Sequence, residues 1–153
     1  MKRVAGILAT MGWLAAVTLA VGAATAGIAV GVDPTGLWLV HATTETALSS
    51  SFDLRAEVGF AVSGGLSGLM LATASLLFHV PTPSVDPFAG LGVGAALTPP
   101  PFTSALVLEA VGGVRIPVLR PVGLLAQARY LIRGSAAGWS AGPVFEAGVY
   151  VQF

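Results

Sequence analysis

Apolar and polar residues alternate with a period of two through much of this chain. Between Phe52 and Val62, the residues Phe52, Leu54, Ala56, Val58, Phe60 and Val62 alternate with Asp53, Arg55, Glu57, Gly59 and Ala61, so every charge lies on one face of an extended strand. Wound as a helix, Asp53, Arg55 and Glu57 would step round the axis by about 200° each and reach both sides. The strand reading therefore holds. The last run follows the same rule, with Phe145, Ala147, Val149, Val151 and Phe153 opposite Glu146, Gly148, Tyr150 and Gln152. Gln127, Arg129 and Arg133 oppose Leu124, Ala126, Ala128, Tyr130 and Ile132, and Glu109 and Arg115 oppose Leu106, Leu108, Ala110, Val114 and Ile116. Weaker alternation places His41, Thr43 and Glu45 on one face, and Thr73, Ser75 and His79 on another.

Clusters of proline, glycine and serine punctuate the pattern and divide it into eight runs, at 27–33, 36–47, 52–62, 66–80, 87–97, 102–116, 122–133 and 144–153. Most are near the 9–11 residues that a tilted strand needs to cross a bilayer. The run at 27–33 is the shortest. Before it, Met1-Lys2-Arg3, an uncharged apolar stretch and the small-x-small site Ala24-Thr25-Ala26 read as a secretory signal peptide over residues 1–26, with the barrel domain at 27–153. A retained transmembrane helix is the rival reading of that stretch.

Composition says where the apolar face must go. The chain has 153 residues, is 55% hydrophobic and only 9% charged, against about 25% charged in soluble domains. No amphipathic helix after residue 26 could cover an apolar sheet face, and the polar face is too poor in charge to be a solvated surface. In lipid a sheet must close on itself to pair its backbone. These features predict an all-β protein, a closed antiparallel up-and-down transmembrane β-barrel of about eight strands. The formal net charge is zero and cysteine is absent, so no basic field exists to hold nucleic acid, and no thiolate metal site or cysteine nucleophile is available.

An even strand number with both termini on the periplasmic side sends the breaks at Asp33–Gly36, Ser63–Gly65, Thr98–Pro101 and Gly134–Gly142 outward. Those at Leu48–Ser51, Pro81–Asp86 and Pro117–Pro121 go inward. On that layout Phe52, Phe78, Phe88 and Phe153 form one aromatic girdle, and Trp38, Phe60, Phe102, Trp139 and Phe145 the other. Gly90, Gly92 and Gly94 then face a narrow lumen and leave room for long arginine side chains of neighbouring strands.

The segment Phe88-Ala89-Gly90-Leu91-Gly92-Val93-Gly94 and the C-terminal Val144-Phe145-Glu146-Ala147-Gly148-Val149-Tyr150-Val151-Gln152-Phe153 resemble the small eight-stranded outer-membrane barrels of the OmpA/OmpX type. The likeness is one of pattern along the whole barrel domain. It implies an outer-membrane location in a diderm bacterium and contact with outer-membrane lipids. It also implies a signal for the barrel-assembly machinery carried by Phe145, Val149, Val151 and Phe153. Long outer loops and a peptidoglycan-binding domain after Phe153, both met in that family, are not part of this sequence's pattern.

The candidate site is the inward set Asp53, Arg55, Glu57, Glu109, Arg115, Arg129, Arg133 and Glu146, four of each sign, expected to pair across strands inside the barrel. A charged constriction that selects ions is the alternative. His41 and His79, with Thr43, Ser75 and Glu45, could be drawn as a hydrolase triad, but no Gly-x-Ser-x-Gly elbow accompanies them. The Gly90–Gly94 spacing lacks the helix of a dinucleotide site. The resulting expectation is a structural or membrane-stabilising barrel with a filled interior, without catalytic residues, metal or cofactor. A narrow passive channel and a membrane-embedded lipid acyl hydrolase are the alternatives.

Overall fold

A computed structural model describes residues 25–62, 69–80, 82–98, 103–135 and 138–153. Among them the alternating runs form eight strands in chain order: β1 (Thr25–Val32), β2 (Trp38–Ala47), β3 (Phe52–Val62), β4 (Leu69–His79), β5 (Asp86–Thr98), β6 (Thr103–Leu119), β7 (Val122–Ser135) and β8 (Gly138–Gln152). Each strand pairs antiparallel with the next, and β8 returns to β1, so the sheet is a closed barrel. Thr25 lies opposite both Glu45 and Gln152, which puts the start of β1 and the end of β8 at one rim, here called the terminal rim. The short run at the start of the chain does form a strand. Residues 1–24 of the expected signal lie outside the described residues, while Thr25 and Ala26 take part in both ladders of β1.

Two environments follow from the period. Along β3, Asp53 is 7% exposed and its neighbour Leu54 is 47% exposed, and the same alternation marks β4. The outside carries Ile28, Val40, Leu76, Leu91, Leu106, Leu124 and Val149, a belt that belongs in lipid rather than water. Inside, one apolar layer of Leu39, Ala61, Leu71, Ala96, Val107, Leu131 and Val144 lies toward the far rim. A second, of Ala29, Leu77, Phe88, Val111, Leu125 and Tyr150, lies toward the terminal rim.

Several details differ from the pattern's expectation. β8 begins at Gly138, inside the segment expected to be a loop to Gly142. Its ladder with β1 ends at the Val32–Phe145 pair, so the part that holds Gly142 and Pro143 has β7 alone as neighbour, and a strand flanked on one side tolerates a proline. β6 likewise runs through Pro117 to Leu119, with a register shift between Pro117 and Leu119 that absorbs the proline. Phe52 and Phe78 do pack together outside the terminal rim, their rings tilted at 58° with centroids 5.4 Å apart. Trp38, Trp139 and Phe145 are exposed toward the far rim. Phe88 leaves the expected girdle: it shares the inward face with Asp86, Gly90, Gly92 and Gly94 and is buried. Phe102, and the breaks at residues 63–68 and 99–101, lie outside the described residues.

The β5 glycines give clearance, but not to arginines. A β-carbon at Gly92 would lie 2.7 Å from Glu109 Oε1 and would also meet the Ser75 hydroxyl, and one at Gly94 would lie 2.7 Å from Thr73 Cγ2. The β4 backbone carbonyls of Leu76 and Ala72, the β4 side chains of Leu77, Ser75 and Thr73, and one glutamate of β6 thus occupy the space. Gly142, by contrast, has nothing within 4 Å of such a carbon. Gly92→Val is therefore expected to lower barrel stability by about 1–3 kcal/mol through overpacking, with Gly142→Ala near neutral. Urea unfolding of both variants in detergent micelles checks the difference.

Candidate functional site

The bore holds its polar side chains in two connected layers. In the middle, the Arg129 guanidinium from β7 faces Glu57 from β3, Glu109 from β6 and, at 3.5 Å, Glu146 from β8. One cation therefore meets three carboxylates drawn from three strands. Ser75 donates a hydrogen bond to Glu109, and the Gln127 amide donates to Glu146 while its Oε1 accepts from Arg55 Nη1 at 2.8 Å. Arg55 in turn grips Glu45 Oε1 through Nε at 2.8 Å and Nη2 at 2.7 Å. His41 Nε2 stands 3.5 Å from Glu146 Oε2.

Glu45 links this layer to the next. Its Oε2 lies 2.6 Å from Arg115 Nη2, and Arg115 also reaches Asp53 Oδ2 at 3.2 Å and Asp86 Oδ2 at 2.7 Å. His79 closes the terminal end, with Nδ1 3.0 Å from Asp86 Oδ1 and Nε2 3.5 Å from Asp53 Oδ1. The Phe88 ring lies against both cations, 4.8 Å from Arg55 Cζ and 5.0 Å from Arg115 Cζ. The inward turn of Phe88 therefore places its ring face where two guanidiniums need a desolvated partner.

Seven of the eight charges expected inside join this network: Asp53, Arg55, Glu57, Glu109, Arg115, Arg129 and Glu146. Arg133 does not, and sits at the far mouth. The balance of four against four also changes, because Glu45 and Asp86 enter the network. Glu45 shares a face with His41 and Thr43 and could have been counted. Asp86 precedes the expected run by one residue, yet two-residue steps from Gly90 already put it inside. Six carboxylates thus stand against Arg55, Arg115 and Arg129; the Ser75, Gln127 and His79 side chains face these carboxylates as further partners, while Thr73 Oγ1 accepts from Arg129 Nη2 at 3.4 Å. Of the residues expected to carry an assembly signal, Phe145, Val149 and Val151 lie on β8 and Phe153 directly follows it; Phe145, Val149 and Phe153 are exposed and Val151 is half-buried.

The drawn triad is not assembled. Ser75 bonds Glu109, His41 stands beside Glu146, and Glu45 is held by two arginines. Ser75 and His41 are each 1% exposed. No cluster of metal-ligating side chains is found among the described residues. At the far mouth, Asp33 Oδ1 accepts hydrogen bonds from Thr35 N at 2.8 Å, Thr35 Oγ1 at 2.6 Å and Leu37 N at 2.9 Å. Slight burial works against its charged form, but these bonds and the charge of Arg133 outweigh it and hold the carboxyl below its ordinary value.

Known structures share this fold. A de novo designed transmembrane β-barrel superposes with a TM-score of 0.67 at 14% identity, over 84% of this chain and 93% of the design. The chain shares the transmembrane-barrel fold. The N-terminal β-barrel domain of Pseudomonas aeruginosa OprF gives a TM-score of 0.65 at 13% identity, over 86% of this chain and 98% of that domain. The outer membrane enzyme PagL gives 0.59 at 13% identity, over 85% of this chain and all of that one. The fold therefore serves enzymes as well as other barrels. No family model and no curated protein matches the sequence.

Phe88→Leu keeps the site apolar but removes the ring face from two arginines, each contact being worth about 0.5–2 kcal/mol. The variant is expected to unfold at lower urea concentration than the parent, and Phe88→Tyr to recover most of the loss.

Proposed function

We propose that this protein is an outer-membrane barrel of a diderm bacterium with a structural, membrane-stabilising role, neither channel nor enzyme. The carrying observation is the state of the bore. Val107 and Leu77 are at 0% exposure and Arg55, Arg129 and His41 at 1%, so a water-sized sphere finds no room beside them. Side chains from facing strands fill an eight-stranded barrel of this kind. The apolar outer belt supports outer-membrane lipids as its surroundings. The exposed aromatic end of β8 supports delivery by the barrel-assembly machinery, after removal of residues 1–26 as a signal peptide. The likeness to PagL, an outer membrane enzyme, keeps an enzymatic role as an outcome for the test, and the lipid acyl hydrolase weighed from the sequence is its form here. The separate partners of His41, Ser75 and Glu45 speak against it.

Reconstituted into planar bilayers in concentrated salt, the protein is expected to give no single-channel steps, and deletion of its gene to leave lipid acylation unchanged. Salt-dependent steps would establish the channel reading. Altered acylation that His41→Ala abolishes would establish the enzyme. The mature protein is expected to begin at Gly27 by mass spectrometry; a chain beginning at Thr25 would move the cut and keep all of β1.

A further inference from the structure

A cavity of about 370 Å³ opens at the far mouth of the barrel, near the small end of the roughly 300–1,000 Å³ typical of ligand pockets. Leu39, Ala61, Leu71, Leu131 and Val144, all buried members of the outer apolar layer, form its floor. Arg133 is the one basic residue in its wall. Arg55, Arg115 and Arg129 are all ion-paired, but Arg133 has no hydrogen bond or ion pair among the described residues. Its Nε is buried without a hydrogen-bond partner, as is that of Arg129, whose Nη1 and Nη2 are by contrast both ion-paired. A buried guanidinium donor left unpaired is unfavourable, so the site is complete only when an acceptor arrives. Asp33, the acid at the mouth, is not that acceptor: it makes no hydrogen bond or ion pair with Arg133 and feels its charge only at longer range, while its Oδ1 is taken by Thr35 and Leu37 of its own turn.

The wall of this cup is uneven. β8 rises beyond its ladder with β1 from Phe145 back to Gly138, while β1 ends at Val32 and the chain turns at Asp33–Thr35. The cavity is lined by that turn on one side and by Ser140–Gly142 on the other.

We infer that the far mouth binds a single-chain amphiphile with one anionic head, an alkyl carboxylate or alkyl phosphate monoester of medium length. The alkyl chain lies in the apolar cup and the head pairs with the Arg133 fork, whose geometry suits both anions. A neutral head would leave Nε unpaired, and a cationic head would be repelled. This goes beyond the structural role proposed above and is read by a separate measurement, so either can fail alone.

The test is binding of radiolabelled decanoate to the full barrel in phosphatidylcholine nanodiscs, with empty nanodiscs as baseline. One saturable site per barrel is expected above that baseline. Arg133→Gln should weaken it about tenfold or more and Arg133→Lys less, since a charged hydrogen bond is lost or thinned. Ala61→Phe, which fills the floor, should abolish it. Should that variant not fold, Gly142→Trp blocks the rim of the cup instead, since Gly142 shares the inward face with Val144, lines the cavity and has open space at its β-carbon, and the gel shift between boiled and unboiled samples reports folding. Stronger competition by decyl phosphate than by unlabelled decanoate identifies a phospholipid-derived source, and the reverse a free fatty acid. Binding no greater than to empty nanodiscs would overturn the proposal. So would binding unchanged in the blocked variant, or equal competition by decyltrimethylammonium.

Discussion

The ladder joining Thr25–Val32 of β1 to Phe145–Gln152 of β8 closes the sheet, and closure sorts side chains into two environments with opposite demands. Outside, lipid accepts apolar groups and leaves no water for an unpaired backbone group, so every strand must have two neighbours along its membrane-crossing length. Inside, eight strands leave a bore narrow enough for side chains to fill. The inward charges of the middle and terminal layers are thereby committed to partners from other strands.

Arg129 is where that commitment is heaviest. Three carboxylates from β3, β6 and β8 converge on it, and it is 1% exposed. Neither the acids nor the arginine has water to fall back on, so each depends on the others. Arg55, Glu45 and Arg115 carry the same logic to the terminal rim, with Phe88 as a shared face for two cations. The plug that closes the bore and the pairing that holds the strands are thus one set of side chains. The far mouth stands apart, because Arg133 has no carboxylate of this network to meet.

The strands are legible in the sequence because lipid outside and charge inside leave a two-residue period that no helix could share. Asp53, Arg55 and Glu57 against Leu54, Ala56 and Val58 suffice to orient β3. Pairing is not legible in the same way. Arg129 and Glu57 come from β7 and β3, which are not neighbours in the ring, so their meeting depends on the curvature of the closed sheet and not on any local spacing. Phe88 misleads because a phenylalanine near a turn suits a girdle as well as a lumen, and only its parity with Gly90 and Gly92 decides. The early start of β8 is hidden by Gly138, Gly142 and Pro143, residues that break strands with two neighbours but not one with a free side.

Arg129 and its three acids depend on one another for their stability in the bore. The most direct measurement compares urea unfolding of Arg129→Met alone with the same change combined with Glu57→Gln, Glu109→Gln and Glu146→Gln. The single variant is expected to lose about 3–5 kcal/mol, because it strands three buried carboxylates, and the combined variant to recover a substantial part. A combined variant as unstable as the single one, or more so, would contradict the claim.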